Sequence, residues 1–192
     1  VVEKHPNYRP YLFVTGMHML EEYGYTVIEV ERSGFINIFK YKNQTDETTM
    51  DLTLAKTIMG FSDYVKTIKP DLIVVHGDRV EALAGAIVGS LNNILVAHIE
   101  GGEISGTIDE LIRHSVSKLS HIHYTSNHTA KKRLLQMGEL ENSIFTIGSP
   151  DVDIMFSSNL PDLSTVKIYY DIEYNQYAIA MFHPVTTEID DI

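Results

Sequence analysis

The sequence of 192 residues contains no cysteine and no tryptophan. Without cysteine the chain has no disulfide framework, no thiolate nucleophile and no thiolate metal ligand, which suits a reducing compartment. The sequence also lacks an apolar run of about 18 residues, and residues 1–10 do not have the pattern of a signal peptide. We therefore expect a cytoplasmic protein without a membrane partner.

Positive charge is scarce as well. There are 15 Lys and Arg residues against 26 Asp and Glu residues, the formal net charge is −11, and no run of Lys or Arg interrupts this balance. A broad basic surface for nucleic acid or an anionic membrane is therefore excluded. A phosphate-containing ligand would have to be held locally, by backbone N–H groups, helix N-termini or single arginines. The expected partner is a small-molecule substrate.

The sequence does contain a regular alternation of short β-rich runs with helical patterns. This alternation is the βαβ signature of a parallel sheet and predicts an α/β, Rossmann-like fold. Strands are predicted near 11–15, 26–30, 35–39, 71–76, 94–99, 122–126, 144–148 and 177–182. Helices are predicted near 51–68, 80–91, 107–119, 128–138, 151–157 and 162–170.

Two of these segments carry predictions about burial. Ile73, Val74 and Val75 follow one another without a polar residue, which predicts a strand buried on both faces. In the helix at 51–68, apolar residues recur at a spacing of about 3.6 and should cover a sheet face. They are Leu52, Ala55, Ile58, Met59 and Val65.

The domain organisation follows from composition. We expect an N-terminal Rossmann-like domain over 1–158, a linker over 159–174 that is rich in polar residues and weakly periodic, and the start of a second Rossmann-like domain over 175–192. A first strand with its glycine turn is expected before Val1, and most of the second domain after Ile192. This stretch alone is therefore expected to be inactive.

Four segments share one feature, in that an apolar run ends and small or ionisable residues follow at once. They are DLIVVHGDR at 71–79, ILVAHIEGGE at 94–103, IFTIGSP at 144–150 and YAIAMFHPVTT at 177–187. In an open α/β sheet this boundary is the carboxyl edge, where ligands bind. The sequence therefore predicts one site at that edge.

Asp78 and Glu100 are the best acid–base candidates at this edge. Asp78 precedes a predicted helix, so it is either an N-cap or a carboxylate available for proton transfer. Glu100 has no evident capping role, and Gly101 and Gly102 after it would let backbone approach a ligand closely. His98 should share a strand face with Glu100, and we favour a core histidine over a ligand at that position.

The segment that opens the next helix allows two interpretations. Thr107 and Glu110 match a capping box, and Asp109 and Arg113 have the i,i+4 spacing of a surface ion pair. Alternatively, the first turn of this helix lines the same cleft, which brings together three carboxylates and one arginine. Carboxylates placed together raise one another's pKa and can supply both an acid and a base at neutral pH.

No cofactor or metal site is expected. GGEISGT at 101–107 has phosphate-loop spacing but carries Thr where the lysine is required, and no GxGxxG follows a strand, so neither a nucleoside triphosphate nor a dinucleotide is indicated. His121, His123 and His128 lack the carboxylate or Cys that would complete a zinc site.

Four ordered motifs together resemble the UDP-N-acetylglucosamine 2-epimerase family. They are HGDR at 76–79, HIEGGEISGTIDELIRH at 98–114, GSP at 148–150 and HPVTT at 183–187. The resemblance is to the hydrolysing branch, which supplies N-acetylmannosamine for sialic acid synthesis, because the non-hydrolysing branch usually reads HxEAGLR where this chain has HIEGGEIS.

The resemblance implies a two-domain fold like that of the B-type glycosyltransferases, with a UDP-sugar in the interdomain cleft. It implies that UDP leaves C1 as the C2 proton is removed, and that water then adds to the resulting 2-acetamidoglucal. The implied acid–base set is Asp78, Glu100 and Asp109, without assignment of individual protons. The implied substrate-binding residues are His183 on the nucleotide side, Arg113, His18, Gly101, Gly102, Gly148 and Ser149.

Several alternatives stay open at this point. The substrate could be UDP-N-acetylglucosamine or a UDP-diacetamido-trideoxy sugar of the kind used for legionaminic acid, since no residue recognisably reads C4 or C6. The reaction could instead be reversible, with UDP-N-acetylmannosamine as product, or the domain could bind nucleotide sugars without catalysis. We expect a homo-oligomer, a dimer or a tetramer, although no sequence feature fixes its size.

Overall fold

The structure is a computed structural model that describes residues 5–45 and 49–181. Its strands are β1 (Leu12–Val14), β2 (Ile38–Lys40), β3 (Leu72–His76), β4 (Leu95–Ile99), β5 (Ile122–Thr125) and β6 (Ile144–Thr146). Its α-helices are α1 (Val27–Arg32), α2 (Met50–Ile68), α3 (Val80–Leu91), α4 (Ile108–Lys118), α5 (His128–Gln136), α6 (Pro150–Met155) and α7 (Leu163–Tyr169). Short 3₁₀ turns lie at Gly16–Met19, Glu21–Tyr23 and Glu141–Ser143.

Two parallel sheets organise these elements. β1 pairs with β2, and the larger sheet has the order β3-β4-β5-β6, in which α3, α4 and α5 connect consecutive strands. Because every strand of the larger sheet runs in the same direction, all of its carboxyl ends meet at one edge. The predicted α/β, Rossmann-like fold is confirmed.

In the described part of the chain, the core cluster lies on one face of the larger sheet, and the other face is largely exposed at β3. The covered face includes Ile73 and Val75, and the core cluster built on it consists of Val65, Ile73, Val75, Val80, Ala86, Val88, Val96, Ile112 and Val116. On the other face Val74 is 56% exposed. The prediction that this strand is buried on both faces is therefore wrong, because strand alternation turns Val74 away from the helices.

Helix α2 is present as predicted, but the face it buries differs. Leu52 and Met59 are exposed, whereas Thr53, Thr57 and Val65 are buried. The two threonines replace apolar residues in this interface because they form hydrogen bonds there: Thr57 Oγ1 donates to the Thr53 carbonyl at 2.6 Å and accepts from Asn43 Nδ2 at 2.8 Å. These hydrogen bonds offset the cost of burying the two threonines, which the spacing of apolar residues alone would have placed on the exposed face of the helix.

Two predicted strands differ in the structure. The segment at 26–30 forms helix α1, in which Val27 is buried and Arg32 donates to Glu29 at 2.8 Å across one turn. Its β-branched residues had suggested a strand, but their spacing also fits a helix. Residues 177–181, the described part of the predicted strand at 177–182, are exposed and not in a strand.

The predicted linker region contains helix α7. Asp162 caps it by accepting a hydrogen bond from the Thr165 backbone N–H at 3.0 Å. The division of the chain into domains stays a prediction. None of the helices in the described ranges combines the length and the hydrophobicity needed to cross a bilayer.

Candidate active site

The candidate site lies at the carboxyl edge of the larger sheet. Three of the four predicted segments, 71–79, 94–103 and 144–150, end there, after β3, β4 and β6. The fourth segment, 177–187, is described only to residue 181, and His183 lies outside the described residues. The prediction for His183 therefore stays a prediction.

Glu100 is the first residue after β4, and its backbone turns sharply. Its φ is +64°, in the left-handed region, and its N–H donates to the Tyr124 carbonyl at 2.8 Å. The turn directs the carboxylate away from the covered face. One carboxylate oxygen, Oε2, lies 2.7 Å from His76 Nε2, and the other, Oε1, accepts from the Ser149 hydroxyl at 2.8 Å.

These contacts contradict the prediction that His98 and Glu100 share a strand face. His98 lies on the covered face, while Glu100 meets His76, which is exposed on the open face. The alternation of a strand ends at Ile99, so it cannot be extended to the next residue once the backbone enters the left-handed region.

The environment of Glu100 favours its ionised form. Partial burial raises the pKa of this carboxyl, but hydrogen bonds from His76 and Ser149, together with the charge of Arg113, outweigh burial and leave the pKa below its ordinary value. Glu100 is therefore a carboxylate at neutral pH, the form that can accept a proton. The prediction that clustered carboxylates raise one another's pKa is wrong for this residue.

Asp78 is bound by Arg113 rather than serving as an N-cap. The N-cap of α3 is Arg79, and Asp78 Oδ2 accepts a hydrogen bond from Arg113 Nη2. Arg113 is largely buried, and its Nη1 also donates to the Glu103 carbonyl at 3.1 Å. The side chain of Arg113 is only 10% exposed, so water solvates its guanidinium poorly. The ion pair with Asp78 compensates for this lost solvation.

Asp109 lies in the first turn of α4, one turn before Arg113. It is exposed, and its Oδ2 accepts from the Thr107 hydroxyl at 3.2 Å. The predicted i,i+4 ion pair between Asp109 and Arg113 is therefore wrong, because Arg113 binds Asp78, which follows strand β3. Helix α4 nevertheless carries both Asp109 and the arginine that binds Asp78.

The predicted capping box at this helix is wrong, because neither of its two reciprocal hydrogen bonds is formed. Thr107 is the N-cap but makes no side-chain capping bond. Glu110 does act at the helix start, since its Oε2 accepts from the backbone N–H groups of Ser105 at 2.9 Å and Gly106 at 2.8 Å. The hydroxyl of Thr107 donates to Asp109 instead of capping the helix.

The two glycines after Glu100 are buried against protein atoms. A Cβ on Gly101 would lie 2.8 Å from both His98 Nδ1 and Ser117 Oγ. Gly102 has a φ of +83°, and a Cβ there would lie 2.6 Å from the Ala130 carbonyl oxygen. Close packing therefore explains both glycines, and contact with a substrate stays a prediction.

His98 is a core histidine, as favoured from the sequence. Its Nε2 donates to the Gly77 carbonyl at 2.8 Å, and its Nδ1 lies 3.0 Å from the Ser117 hydroxyl. Burial, only partly offset by the bond to Gly77, lowers the pKa of His98 from 6.5 to about 4. The neutral ring thus ties the loop after β3 to helix α4 and supports the start of the segment that carries Asp78.

This burial predicts a pH dependence of stability. The folded pKa of His98 lies below its unfolded value, so the unfolded state binds the proton more readily and stability falls as pH drops through 6.5 towards about 4. Between about pH 7 and about pH 5 the free energy of unfolding should decrease by about 2 kcal/mol on account of His98. Urea unfolding of the intact protein at both pH values measures the change.

Two variants test the assignment to this residue. His98→Gln should remove about 2 kcal/mol from the pH dependence, whereas His128→Gln, at an exposed position at the start of α5, should leave it unchanged. An equal pH dependence in wild type and His98→Gln would contradict the prediction.

The remaining histidines occupy separate environments. His18 lies in the 3₁₀ turn after β1, with its Nδ1 2.7 Å from Thr26 Oγ1, and its contact with a sugar stays a prediction. His121 Nδ1 accepts from the Val96 N–H at 3.1 Å, and His123 Nε2 lies 3.2 Å from Glu139 Oε2. His128 begins α5, and no group of three possible metal ligands is found among the described residues.

Sequence reasoning missed two residues near the site. His76 belongs to the HGDR motif, but alternation along β3 also places it on the face opposite Ile73 and Val75, where it contacts Glu100. Asn43 is buried, and its Oδ1 accepts from the Gly16 N–H at 3.0 Å, which fixes the turn that carries His18. No local sequence signal marks Asn43.

The fold and the site define a class of protein: a Rossmann-like α/β domain with an ionised carboxylate and an Asp–Arg pair at the carboxyl edge of its sheet. Residues 1–191 match the family model for UDP-N-acetylglucosamine 2-epimerase. The chain belongs to the UDP-N-acetylglucosamine 2-epimerase family.

Individual relatives agree with this assignment. The chain is 52% identical over 187 residues to UDP-N-acetylglucosamine 2-epimerase of Neisseria meningitidis serogroup B, covering 97% of this chain and 50% of that protein. It is 36% identical over 186 residues to UDP-N,N'-diacetylbacillosamine 2-epimerase (hydrolyzing) of Legionella pneumophila, covering 93% of this chain and 48% of that protein. The chain thus spans about half the length of these relatives.

A solved structure shows the same fold. The crystal structure of UDP-GlcNAc 2-epimerase from Neisseria meningitidis bound to UDP-GlcNAc superposes with a TM-score of 0.73, at 21% identity, over 88% of this chain and 45% of that one. The match agrees with one Rossmann-like half of a two-domain architecture.

Proposed function

We propose that the intact protein that carries this chain is a hydrolysing UDP-N-acetylglucosamine 2-epimerase, which converts UDP-N-acetylglucosamine and water into N-acetylmannosamine and UDP. The observation that carries the proposal is the Glu100 carboxylate. It is ionised, it is hydrogen-bonded to His76 and Ser149, and it lies near the Asp78–Arg113 ion pair. This arrangement occurs in a chain that is 52% identical to a relative named for the 2-epimerase reaction.

The reaction requires the groups that this edge provides. A base takes the C2 proton while the bond between C1 and the UDP oxygen breaks, and the electron pair of the C–H bond forms the C1=C2 double bond of 2-acetamidoglucal. Water then adds its oxygen to C1, and a proton returns to C2 from the opposite face. Abstraction of a weakly acidic proton and protonation of an enol ether both require positioned acids and bases.

The residues divide these tasks as follows. Glu100 enters the cycle as the proton acceptor because its environment keeps it ionised. Asp78 and Asp109 complete the acid–base set, and Arg113 orients Asp78. Gly148 and Ser149 lie at the start of α6, where backbone groups are suited to bind a phosphate, and His183 serves the nucleotide side.

Two observations favour the hydrolysing reaction. The Legionella pneumophila relative, 36% identical, is named as a hydrolysing enzyme. In addition, position 101 is alanine in the motif typical of the non-hydrolysing branch, whereas here the atoms of His98 and Ser117 leave no room for a Cβ at Gly101.

The name of the same relative supports a second candidate substrate, a UDP-diacetamido-trideoxy sugar. The two substrates differ at C4 and C6 of the sugar, so a direct comparison of kcat/KM for the two compounds separates them. Assembly into a homo-oligomer stays a prediction.

The test is a product analysis of the intact protein in deuterated water. Incubation with UDP-N-acetylglucosamine should release UDP and N-acetylmannosamine in equal amounts, with deuterium at C2 of the manno sugar. Accumulation of UDP-N-acetylmannosamine without free UDP would replace the proposal with the reversible reaction. Tight binding of the UDP-sugar without any product would replace it with a binding domain.

A further inference from the structure

Ser149 occupies a helix start but does not cap the helix. It is the N-cap residue of α6, yet its side chain makes no bond to a free N–H of that helix. The N-cap threonines of α2 and α4 also make no such bond, whereas Asn127 caps α5 and Asp162 caps α7 through their side chains. The Ser149 hydroxyl donates instead to Glu100 Oε1 at 2.8 Å.

This contact crosses the sheet. Glu100 follows β4 and Ser149 follows β6, and β5 lies between these strands. The two residues are 49 positions apart in the sequence. A serine that serves only its own helix would not need to reach over a neighbouring strand, so the contact points to a task for the hydroxyl at Glu100.

The backbone around Ser149 aims the hydroxyl. Gly148 turns the chain with a φ of +85°, a conformation that side chains disfavour. Pro150 is the first residue of α6, and a proline restricts the residue before it to extended backbone. Ser149 accordingly has φ −89° and ψ 130°. The GSP motif thus places one hydroxyl in a fixed direction.

The hydroxyl completes the restraint on Glu100. His76 holds only Oε2, which would leave the carboxylate free to rotate about its last torsion angle, whereas a second donor on Oε1 fixes that angle as well. Each carboxylate oxygen has two acceptor positions, so one on each oxygen remains open for a substrate proton. Two donors therefore orient the base without blocking it.

We propose that Ser149 is a positioning residue, whose hydroxyl holds the Glu100 carboxylate in the orientation needed for proton abstraction. The inference rests on the proposed function, because it assigns a residue to the same site. It is distinct from the predicted contact of Ser149 with phosphate, which would involve substrate binding rather than the state of Glu100.

The test uses three variants of the intact protein. Ser149→Ala removes the hydroxyl, and Ser149→Thr retains it. Ser143→Ala is the matched control, because Ser143 lies at the other end of β6 and its hydroxyl donates to the nearby Leu140 carbonyl at 2.8 Å. Since Ser149 does not cap α6, its replacement by alanine should leave the fold intact.

Ser149→Ala should lower kcat by about tenfold with KM nearly unchanged, because a misplaced base weakens the chemical step and not binding. In the profile of kcat/KM against pH, the acid limb should shift to higher pH by about half a unit to one unit, because loss of a donor destabilises the carboxylate form of Glu100. Ser149→Thr should restore both quantities, and Ser143→Ala should match wild type.

Two results would overturn the inference while the wild type remains active. One is an unchanged kcat and acid limb in Ser149→Ala, and the other is a raised KM with unchanged kcat, which would make Ser149 a substrate-binding residue. A wild type that forms no product would refute the proposed function instead. In that case carbon-13 NMR titration of Glu100 decides the inference, and an equal pKa in wild type and Ser149→Ala contradicts it.

Discussion

Replacing Glu100 with glutamine is expected to lower the turnover of UDP-N-acetylglucosamine by about 100-fold or more, because loss of a general base costs roughly this factor. Glutamine has nearly the same shape and can still accept a hydrogen bond from Ser149, but it cannot take up a proton. Binding of UDP should remain close to that of wild type. Steady-state kinetics and calorimetric titration with UDP, both on the intact protein, measure the two effects.

A matched exchange controls for the loss of one negative charge. Glu141→Gln changes an exposed glutamate that lies 3.5 Å from Lys131, away from the carboxyl edge, and it should leave turnover unchanged. Near-normal turnover in Glu100→Gln would assign Glu100 a structural role. A parallel loss of UDP binding would show instead that the residue holds the substrate.

Replacing Arg113 with methionine is expected to have the largest effect on stability. Methionine has a similar length, so no large cavity forms, but Asp78 loses its ion pair and the Glu103 carbonyl loses a donor. Breaking this ion pair on one side should cost about 2 kcal/mol or more, less than for a fully buried pair, because the Asp78 side chain is 30% exposed and water can partly replace the arginine. Urea unfolding of the intact protein at neutral pH measures the difference in the free energy of unfolding.

Two comparisons isolate the pair. Arg32→Met removes an exposed arginine that pairs with Glu29 one turn away, and its effect should stay below about 0.5 kcal/mol. The double variant Asp78→Asn with Arg113→Met should be less destabilised than the sum of the two single variants, because the unpaired carboxylate is gone. An effect of Arg113→Met no larger than that of Arg32→Met would contradict the prediction.

The fold was largely predictable because its signals are local. Helix α3 spans 80–91 as predicted, since its apolar residues and its bounding turns lie within one short segment. The error at 26–30 has the same origin: Val27 and Val30 fit either a strand or a helix, and only packing decides between them. The open face at Val74 could not be foreseen, because coverage of a strand depends on which helices cross it.

The positions of Asp78 and Glu100 at the sheet edge were predictable, but their contacts were not. Asp78 and Glu100 each follow an apolar run, and parallel strands bring such residues to one edge. Their partners were not predictable from spacing: Arg113 binds Asp78 rather than Asp109, and Glu100 binds Ser149 across β5. The i,i+4 spacing identifies side chains that are neighbours on one helix. It does not show whether a carboxylate from another segment, such as Asp78 after β3, lies closer to Arg113.

The sequence alone determined that the chain forms a parallel α/β sheet, that acidic residues follow two of its strands, and that these residues lie at the same edge of the sheet. These properties follow from the order of residues along each segment. Only the tertiary structure decided which donor binds which carboxylate. Glu100 accepts hydrogen bonds that favour its ionised form, and Asp78 forms an ion pair with Arg113. Such pairings depend on strand order and on one left-handed residue, and the free energy of a charged group depends on the atoms that surround it in space.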